Sequence, residues 1–574
     1  MFYQLKAAML YLLLVANFAL ITSARAQKEI KIAFISDIHI HDIYPEQDTA
    51  ALHYLYDSTA HKTILIRSLN SEMNSTRLFN ENYYALHQAL LEIAQKGIKL
   101  VIIPGDLTDD GQLVNLTAVK EILSYYQQQY HMRFLVTNGN HDVSEPFETE
   151  SGKSDFLSLG GEPIGVYSST ALVKKPHDQV YPLLKVGGYQ AVFNSLQSFG
   201  FSPSSEDLFY TTPHHTFNYD AYRYNATMFD LNKRWYHYGI DSFPDLTYLA
   251  EPIKDLWVMA IDGNIFEKRN DGSFDNIDDG YKFIHQKPFL LSWIKAMVAE
   301  AKKRGKTLIA FSHYPILDFN NGHSPALKKI IGADKFQLSR VPEDSIQQFF
   351  LESGLQVHFG GHMHINQHGY LRRDSGAVMW NIQVPSLAAF PPAYKIASVK
   401  YDAIRITTYP LKNVIHYNEL FNYYDREKKD SALSKIVKAS GNYYQFTRNH
   451  LQYLANNRFY YNEFDNAAWD AFKNNPSAEW IPDSLLHVFT KKEQNIFLHI
   501  TFIDIIRDLY FIRNGNDLGI KEIPAARLKL YRRWAQLTAT SKYPSLLDKL
   551  ITVMQQMIND SISTTTTSMK LVTK

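Results

Sequence analysis

Short runs dominated by apolar residues recur along the first two thirds of the chain, at 32–35, 100–103, 134–136, 308–311 and 355–359. They are too short for helices and stop at Gly, Asn, Asp or His, so they predict central strands. Between the first two, residues 83–95 space their apolar positions as a helix does. Alternation of such strands and helices over 30–411 predicts one α/β unit. A long excursion, 143–306, interrupts it and contains a further strand-like run, 256–261, before Asp262-Gly263-Asn264. Part of the excursion is expected to cover or flank the strand ends and, with a C-terminal helical domain as a second candidate, to decide what binds there. Strands at 377–384 and 397–409 are expected to complete the sheets.

From about Val414 the apolar spacing turns helical, at 430–440, 443–456, 492–513, 525–538 and 546–558. The span 496–512 is apolar on most sides but carries His499, Asp504, Arg507 and Asp508, which suits the central helix of a helical domain better than a membrane span. The Ser/Thr-rich stretch 561–568 is expected to fray. The predicted organisation is therefore a leader at 1–26, an α/β domain at 27–412, and an all-helical C-terminal domain at 413–574 with a frayed tail.

The leader follows from Lys6, an apolar stretch over 7–21 and the small-x-small site Ala24-Arg25-Ala26, the layout of a signal peptide. It predicts an exported protein, periplasmic or secreted, with no stable membrane span after cleavage. With 574 residues, 45% of them hydrophobic, the chain can bury more than one core. A net charge of +1 gives no broad basic field and argues against a nucleic-acid polymer as partner. There is no Cys, so disulfides, thiolate ligands and a Cys nucleophile are excluded, and any metal must be held by N and O atoms.

Each of the five strand-like runs is followed by a polar cluster. The clusters are Asp37-Ile38-His39, Gly105-Asp106-Leu107-Thr108-Asp109, Gly139-Asn140-His141-Asp142, Ser312-His313-Tyr314-Pro315 and Gly360-Gly361-His362-Met363-His364. Any one could merely cap a strand or turn a corner. Together they supply a bridging carboxylate and several N/O ligands on one rim of a sheet, where ligands of open α/β sheets gather. That inventory suits two divalent cations roughly 3.5–4 Å apart, which clamp the attacking and leaving oxygens of a phosphate ester.

The series Asp-x-His, Gly-Asp-x-x-Asp, Gly-Asn-His-Asp, a lone His after a strand, and Gly-His-x-His resembles the calcineurin-like metallophosphoesterase family over roughly 30–411. The resemblance implies an α/β (α+β) fold, a two-sheet sandwich flanked by helices. It implies that Asp37, His39, Asp106 and His364 hold one metal and Asp106, Asn140, His313 and His362 the other, with Asp106 bridging. Two divalent ions, Mn, Fe or Zn, would be the cofactors. A metal-bridging hydroxide would attack phosphorus in line while His141 contacts the phosphoryl group or protonates the leaving group. Asp109 and Asp142 would orient a His or a bound water from behind. Asp109 stands where purple acid phosphatases have a Tyr ligand, which sets the chain apart from that branch.

The order of leader, catalytic unit and helical domain is similar to bacterial cyclic-nucleotide phosphodiesterase-like proteins. That likeness points to a small phosphate ester, a cyclic nucleotide, as substrate. A phosphomonoesterase or nucleotidase, a sphingomyelinase-like esterase, and a non-catalytic metal-binding scaffold stay open, as does the oligomeric state. The dense aromatics over 210–248 and the pair His214-His215 could face a substrate, although packing against the sheets explains them as well.

Overall fold

The computed structural model describes residues 29–571, apart from 46–54, 58–61, 278–282, 375, 401, 428–430, 482, 540–541, 543 and 561. The predicted leader lies outside the described residues. Two mixed sheets face each other. One has six strands in the spatial order Thr566–Lys570, Ala403–Pro410, Ala393–Lys400, Ile30–Phe34, Leu100–Pro104 and Arg133–Thr137. The other has seven, in the order His368–Arg372, Val378–Gln383, Val357–Gly360, Thr307–Ser312, Leu256–Ile261, Tyr248–Ile253 and Tyr210–Thr211.

The strands that lead into the five clusters pair in parallel within each sheet, so their C-terminal ends share a rim. Leu100–Pro104 and Leu256–Ile261 are buried along their whole length, which is why they read as unbroken apolar runs. The sheets meet through side chains such as Phe34 and Phe359, whose rings stack with centroids 3.6 Å apart. Tyr248 of one sheet donates to the Val136 carbonyl of the other at 2.9 Å. Helices Asn82–Gln95, Leu113–Tyr130 and Pro288–Arg304 connect the parallel strands. The last opens with Pro288 in its first turn and closes on Gly305 at φ 65°, the usual start and stop residues of a helix.

The expected strand 397–409 is a hairpin of Ala393–Lys400 and Ala403–Pro410. The expected helix 492–513 is two helices, Lys491–Phe497 and Phe502–Gly515. Thr501 is extended, and its side chain and that of Asp504 exchange backbone hydrogen bonds, so a capping box starts a new helix where the apolar spacing runs on unbroken. The tail expected to fray is instead an edge strand, Thr566–Lys570, paired antiparallel with Ala403–Pro410. Thr567 and Met569 point inward from it, and the Thr567 hydroxyl meets His368 Nδ1 at 2.9 Å. A composition that looks like a tail thus carries the period-2 alternation of a half-buried strand.

The helical region divides its packing. Phe421, Tyr424, Tyr443 and Phe446 join the apolar core of the sandwich. Helices Phe502–Gly515, Ala525–Thr538 and Leu546–Ile558 build a second core, into which Leu327, Phe336 and Leu338 of the α/β region also pack. No helix among the described residues is long and apolar enough to cross a membrane.

Candidate metal centre

The five clusters meet because their loops are laced together by main-chain bonds. The amides of Ile38 and His39 both donate to the Asp106 carbonyl, at 2.9 and 3.0 Å, and the Gly361 amide donates to the His313 carbonyl at 2.8 Å. Asp37, His39, Asp106, His362 and His364 all have φ between 49° and 70°, a left-handed conformation that costs a non-glycine residue energy. Strain shared by five residues of one site is typical of places where function fixes the backbone. Two glycines permit the crowding: a Cβ on Gly139 would sit 2.1 Å from Asp106 Oδ1, and one on Gly361 would sit 2.5 Å from Asp37 Oδ2.

All seven predicted ligands come together. His39 Nε2 lies 3.0 Å from His364 Nε2, which is 3.5 Å from Asp37 Oδ1. On the other side, His313 Nε2 is 3.0 Å from Asn140 Oδ1 and 3.1 Å from His362 Nδ1. Asp106 Oδ2 stands between the two groups, 3.7 Å from His39 Nε2 and 3.2 Å from His313 Nε2. Ligand atoms of Asp37, His39 and His364, and of Asp37, Asp106 and His313, lie within 4.8 Å of one another. So do those of His39, Asp106 and His141.

The donor atoms fit hard or borderline divalent cations. Asp37 Oδ2 is buried with no hydrogen-bond donor, a costly state for a carboxylate oxygen unless a cation faces it. Burial, then the Arg77 charge, holds the His39 imidazole well below its ordinary pKa; burial, then Arg340, does the same for His362. Both rings are therefore neutral and offer lone pairs. Burial also pulls on His313, but the Asp106 carboxylate outweighs it and lifts the ring to about 9. His313 Nδ1 donates to the Pro104 carbonyl at 3.0 Å, leaving Nε2 as the atom that faces the site.

His141 stands on the rim, half-buried, its ring edge-on to His39 with centroids 4.8 Å apart. Its main-chain amide donates to Asp106 Oδ1 at 2.9 Å. The Asp109 carboxylate is gripped by Arg67 Nη1 at 2.8 Å and by Arg77 Nη2 at 2.6 Å. Burial would raise its pKa, but Arg77 and Arg67 bring it below the ordinary value. Asp142 does not reach a ligand histidine. It accepts from the Thr108 and Gly139 amides, both at 2.9 Å, and so ties the loop of Asp106 to that of Asn140. Asn264 adds a tie of its own, donating to the Gly139 carbonyl at 3.0 Å.

A cavity of about 370 Å³ opens above the site. Asp106, Asn140, His141, His362 and His364 form its floor. Contrary to expectation, no described residue of the excursion 143–306 lines it. The walls come from Arg77, from Phe336, Gln337 and Arg340, and from helical residues including Arg458, Phe459, Tyr510 and Arg513. Among the aromatics over 210–248, Tyr210 stacks on Tyr248 within the sheet and Tyr236 lies against Phe289 of helix Pro288–Arg304, while Tyr224, Trp235 and Tyr238 are exposed. His214 likewise lies against Phe289 and His215 against Phe229. Sequence reasoning missed the arginines because isolated Arg residues at 77, 340, 458 and 513 carry no motif. Only the fold collects them.

No curated protein matches this chain. Among solved structures, a dimetal phosphatase from Danio rerio aligns with 66% of this chain and 96% of its own, at 11% identity and a TM-score of 0.27. The family model described as calcineurin-like phosphoesterase matches residues 30–366, the span that carries all five clusters. That match covers more than half of the 574 residues, and the chain belongs to the calcineurin-like phosphoesterase family.

Proposed function

We propose that this protein is an exported phosphodiesterase acting on a small phosphate ester of the cyclic-nucleotide kind. The observation that carries the reading is the convergence of seven N and O ligands, divided into two groups about the Asp106 carboxylate, on the floor of a substrate-sized cavity. Asp37, His39, Asp106 and His364 are assigned to one cation, and Asp106, Asn140, His313 and His362 to the other. Two divalent ions held there would neutralise phosphoryl charge and make a water nucleophilic at neutral pH.

The chain's own groups supply the rest. A carbonyl can only accept, so the 2.5 Å contact between His141 Nδ1 and the Asp109 carbonyl fixes a proton on Nδ1 and directs Nε2 to the substrate. A second proton at Nε2 would go to the leaving oxygen. Arg77, which lines the cavity and also holds Asp109, can donate a hydrogen bond to a phosphoryl oxygen. Mn, Fe and Zn all suit this His and carboxylate set. The leader and export rest on the pattern of residues 1–26.

The test is hydrolysis by the purified mature chain loaded with Mn, Fe or Zn. Bis-p-nitrophenyl phosphate and 3′,5′-cyclic nucleotides should be cleaved faster than p-nitrophenyl phosphate, and chelation should abolish the activity. A preference for the monoester would replace the diesterase reading with a phosphomonoesterase. Full metal loading with no turnover of any ester would point to a scaffold.

A further inference from the structure

Arg513 lies on the cavity wall, 4% exposed, at the end of helix Phe502–Gly515. Its charge has no carboxylate within ion-pair distance among the described residues. Its Nη2 donates to Gln337 Oε1 at 2.7 Å and its Nη1 to Asn514 Oδ1 at 3.2 Å, both neutral amides. Its Nε is buried and unpartnered. The guanidinium lies over the Phe336 ring, 4.7 Å from the centroid. Phe336 and Gln337 are both left-handed, at φ 56°, so backbone strain is spent on placing the groups that hold Arg513. Glu463, on the same wall, offsets part of the Arg513 charge from beyond ion-pair distance, while Arg340 adds positive charge felt by both Arg513 and His362.

A buried guanidinium is ordinarily paired with an acid, because desolvating an uncompensated charge is costly. Here the fold assembles one from two distant segments, aligns it with amides and an aromatic face, and opens it to the cavity above the metal ligands. We propose that Arg513, supported by Arg340 and Gln337, is a subsite for a second oxyanion of the substrate, distinct from the phosphoryl group that reacts. The inference rests on the phosphoesterase reading and narrows it. The substrate class becomes an ester that carries a further phosphate or carboxylate beyond the scissile phosphate. A cyclic mononucleotide, with one anionic group, would leave Arg513 unpaired, whereas a dinucleotide with two phosphates satisfies both positions.

Two diesters that differ only in the second anion provide the test: the dinucleotide ApA and its 5′-phosphorylated form pApA. In the metal-loaded wild-type protein kcat/KM for pApA should exceed that for ApA by on the order of 10- to 100-fold, the value of one charged hydrogen-bonded contact. In Arg513→Gln the ratio should fall to near one, and Arg513→Lys should restore part of it. A ratio near one in the wild type, or a ratio that survives Arg513→Gln, overturns the proposal.

Calorimetric titration of orthophosphate and of succinate into the full chain with chelator present reads the subsite without turnover and separates phosphate from carboxylate. Binding of either that is lost in Arg513→Gln supports the subsite; no binding of either, or binding unchanged by the substitution, refutes it. If neither dinucleotide is cleaved by the metal-loaded protein, the diesterase reading fails and the titration alone decides the subsite. Should Arg513→Gln not fold, Arg340→Gln must lower the pApA to ApA ratio in its place, and an unchanged ratio again refutes it.

Discussion

His141 Nδ1 lies 2.5 Å from the main-chain oxygen of Asp109, so the Asp109 loop sets which nitrogen of His141 reaches the cavity. The Asp109 side chain takes a different task, the anchoring of Arg67 and Arg77. One residue thus orients His141 through its backbone and balances the local charge through its carboxylate.

His141→Ala should leave metal content at the wild-type level, because none of the seven assigned ligands is lost. Turnover should fall by about 10²- to 10⁴-fold, the range for removing an acid–base or charge-stabilising group. Elemental analysis alongside kcat checks this, and an unchanged rate would remove His141 from the mechanism.

Asp106→Ala and His364→Ala should differ in stoichiometry. Asp106 faces both ligand groups, so its loss should empty both positions, whereas loss of His364 should cost about one ion of two. Metal counts after gel filtration decide, and equal losses in the two variants would argue against a bridging carboxylate.

Asp109→Ala should destabilise the fold by about 3–5 kcal/mol, since it strips the carboxylate from the largely buried Arg77 guanidinium and leaves Arg67 only Asp155. Asp109→Asn, which keeps one acceptor oxygen, should cost less. Urea denaturation of the two variants against wild type measures both.

The buried Lys395 should make part of the stability rise with pH on the alkaline side. Lys395 is fully buried among Asn366, His368 and Thr408, and burial lowers its pKa to about 7 from 10.5, opposed by the Asp517 carboxylate. Between those values the unfolded chain holds a proton that the folded chain has released. Lys395 should therefore contribute a free energy of unfolding that increases with pH across about 7 to 10.5, by up to about 1.4 kcal/mol per unit, opposed below about 9 by His313, whose raised pKa keeps its proton in the folded chain. Lys395→Met should flatten that slope, and a profile that stays steep in the variant would assign it to other groups.

The clustering of the candidate metal centre was legible in the sequence because each predicted ligand sits next to a strand end within a short motif. Asp37, His39, Asp106, Asn140, His313, His362 and His364 needed only the expectation of a common rim. The central strands were legible for a related reason: burial on both faces leaves a continuous apolar run, as at Leu256–Ile261. The cavity walls were not. Arg77 and Arg513 are 436 positions apart along the chain, and nothing local marks either one. The excursion 143–306 misled because proximity in sequence to Asn140 and His313 suggested proximity in space. Its bulk goes to the sheets, and the opposite wall is supplied by residues that come after the last motif.

The pairing of Thr566–Lys570 with Ala403–Pro410 bears on how that wall is kept in place. The polypeptide leaves the six-stranded sheet after Pro410 and returns to it one strand away, so 411–565 is a closed excursion pinned at both ends. Arg513 therefore meets the cavity floor at an effective concentration fixed by two anchors, whatever the intrinsic affinity between the helical core and the sandwich. A single nick within 411–565 would leave both pieces clamped to one sheet, and the two halves of the cavity would still face each other.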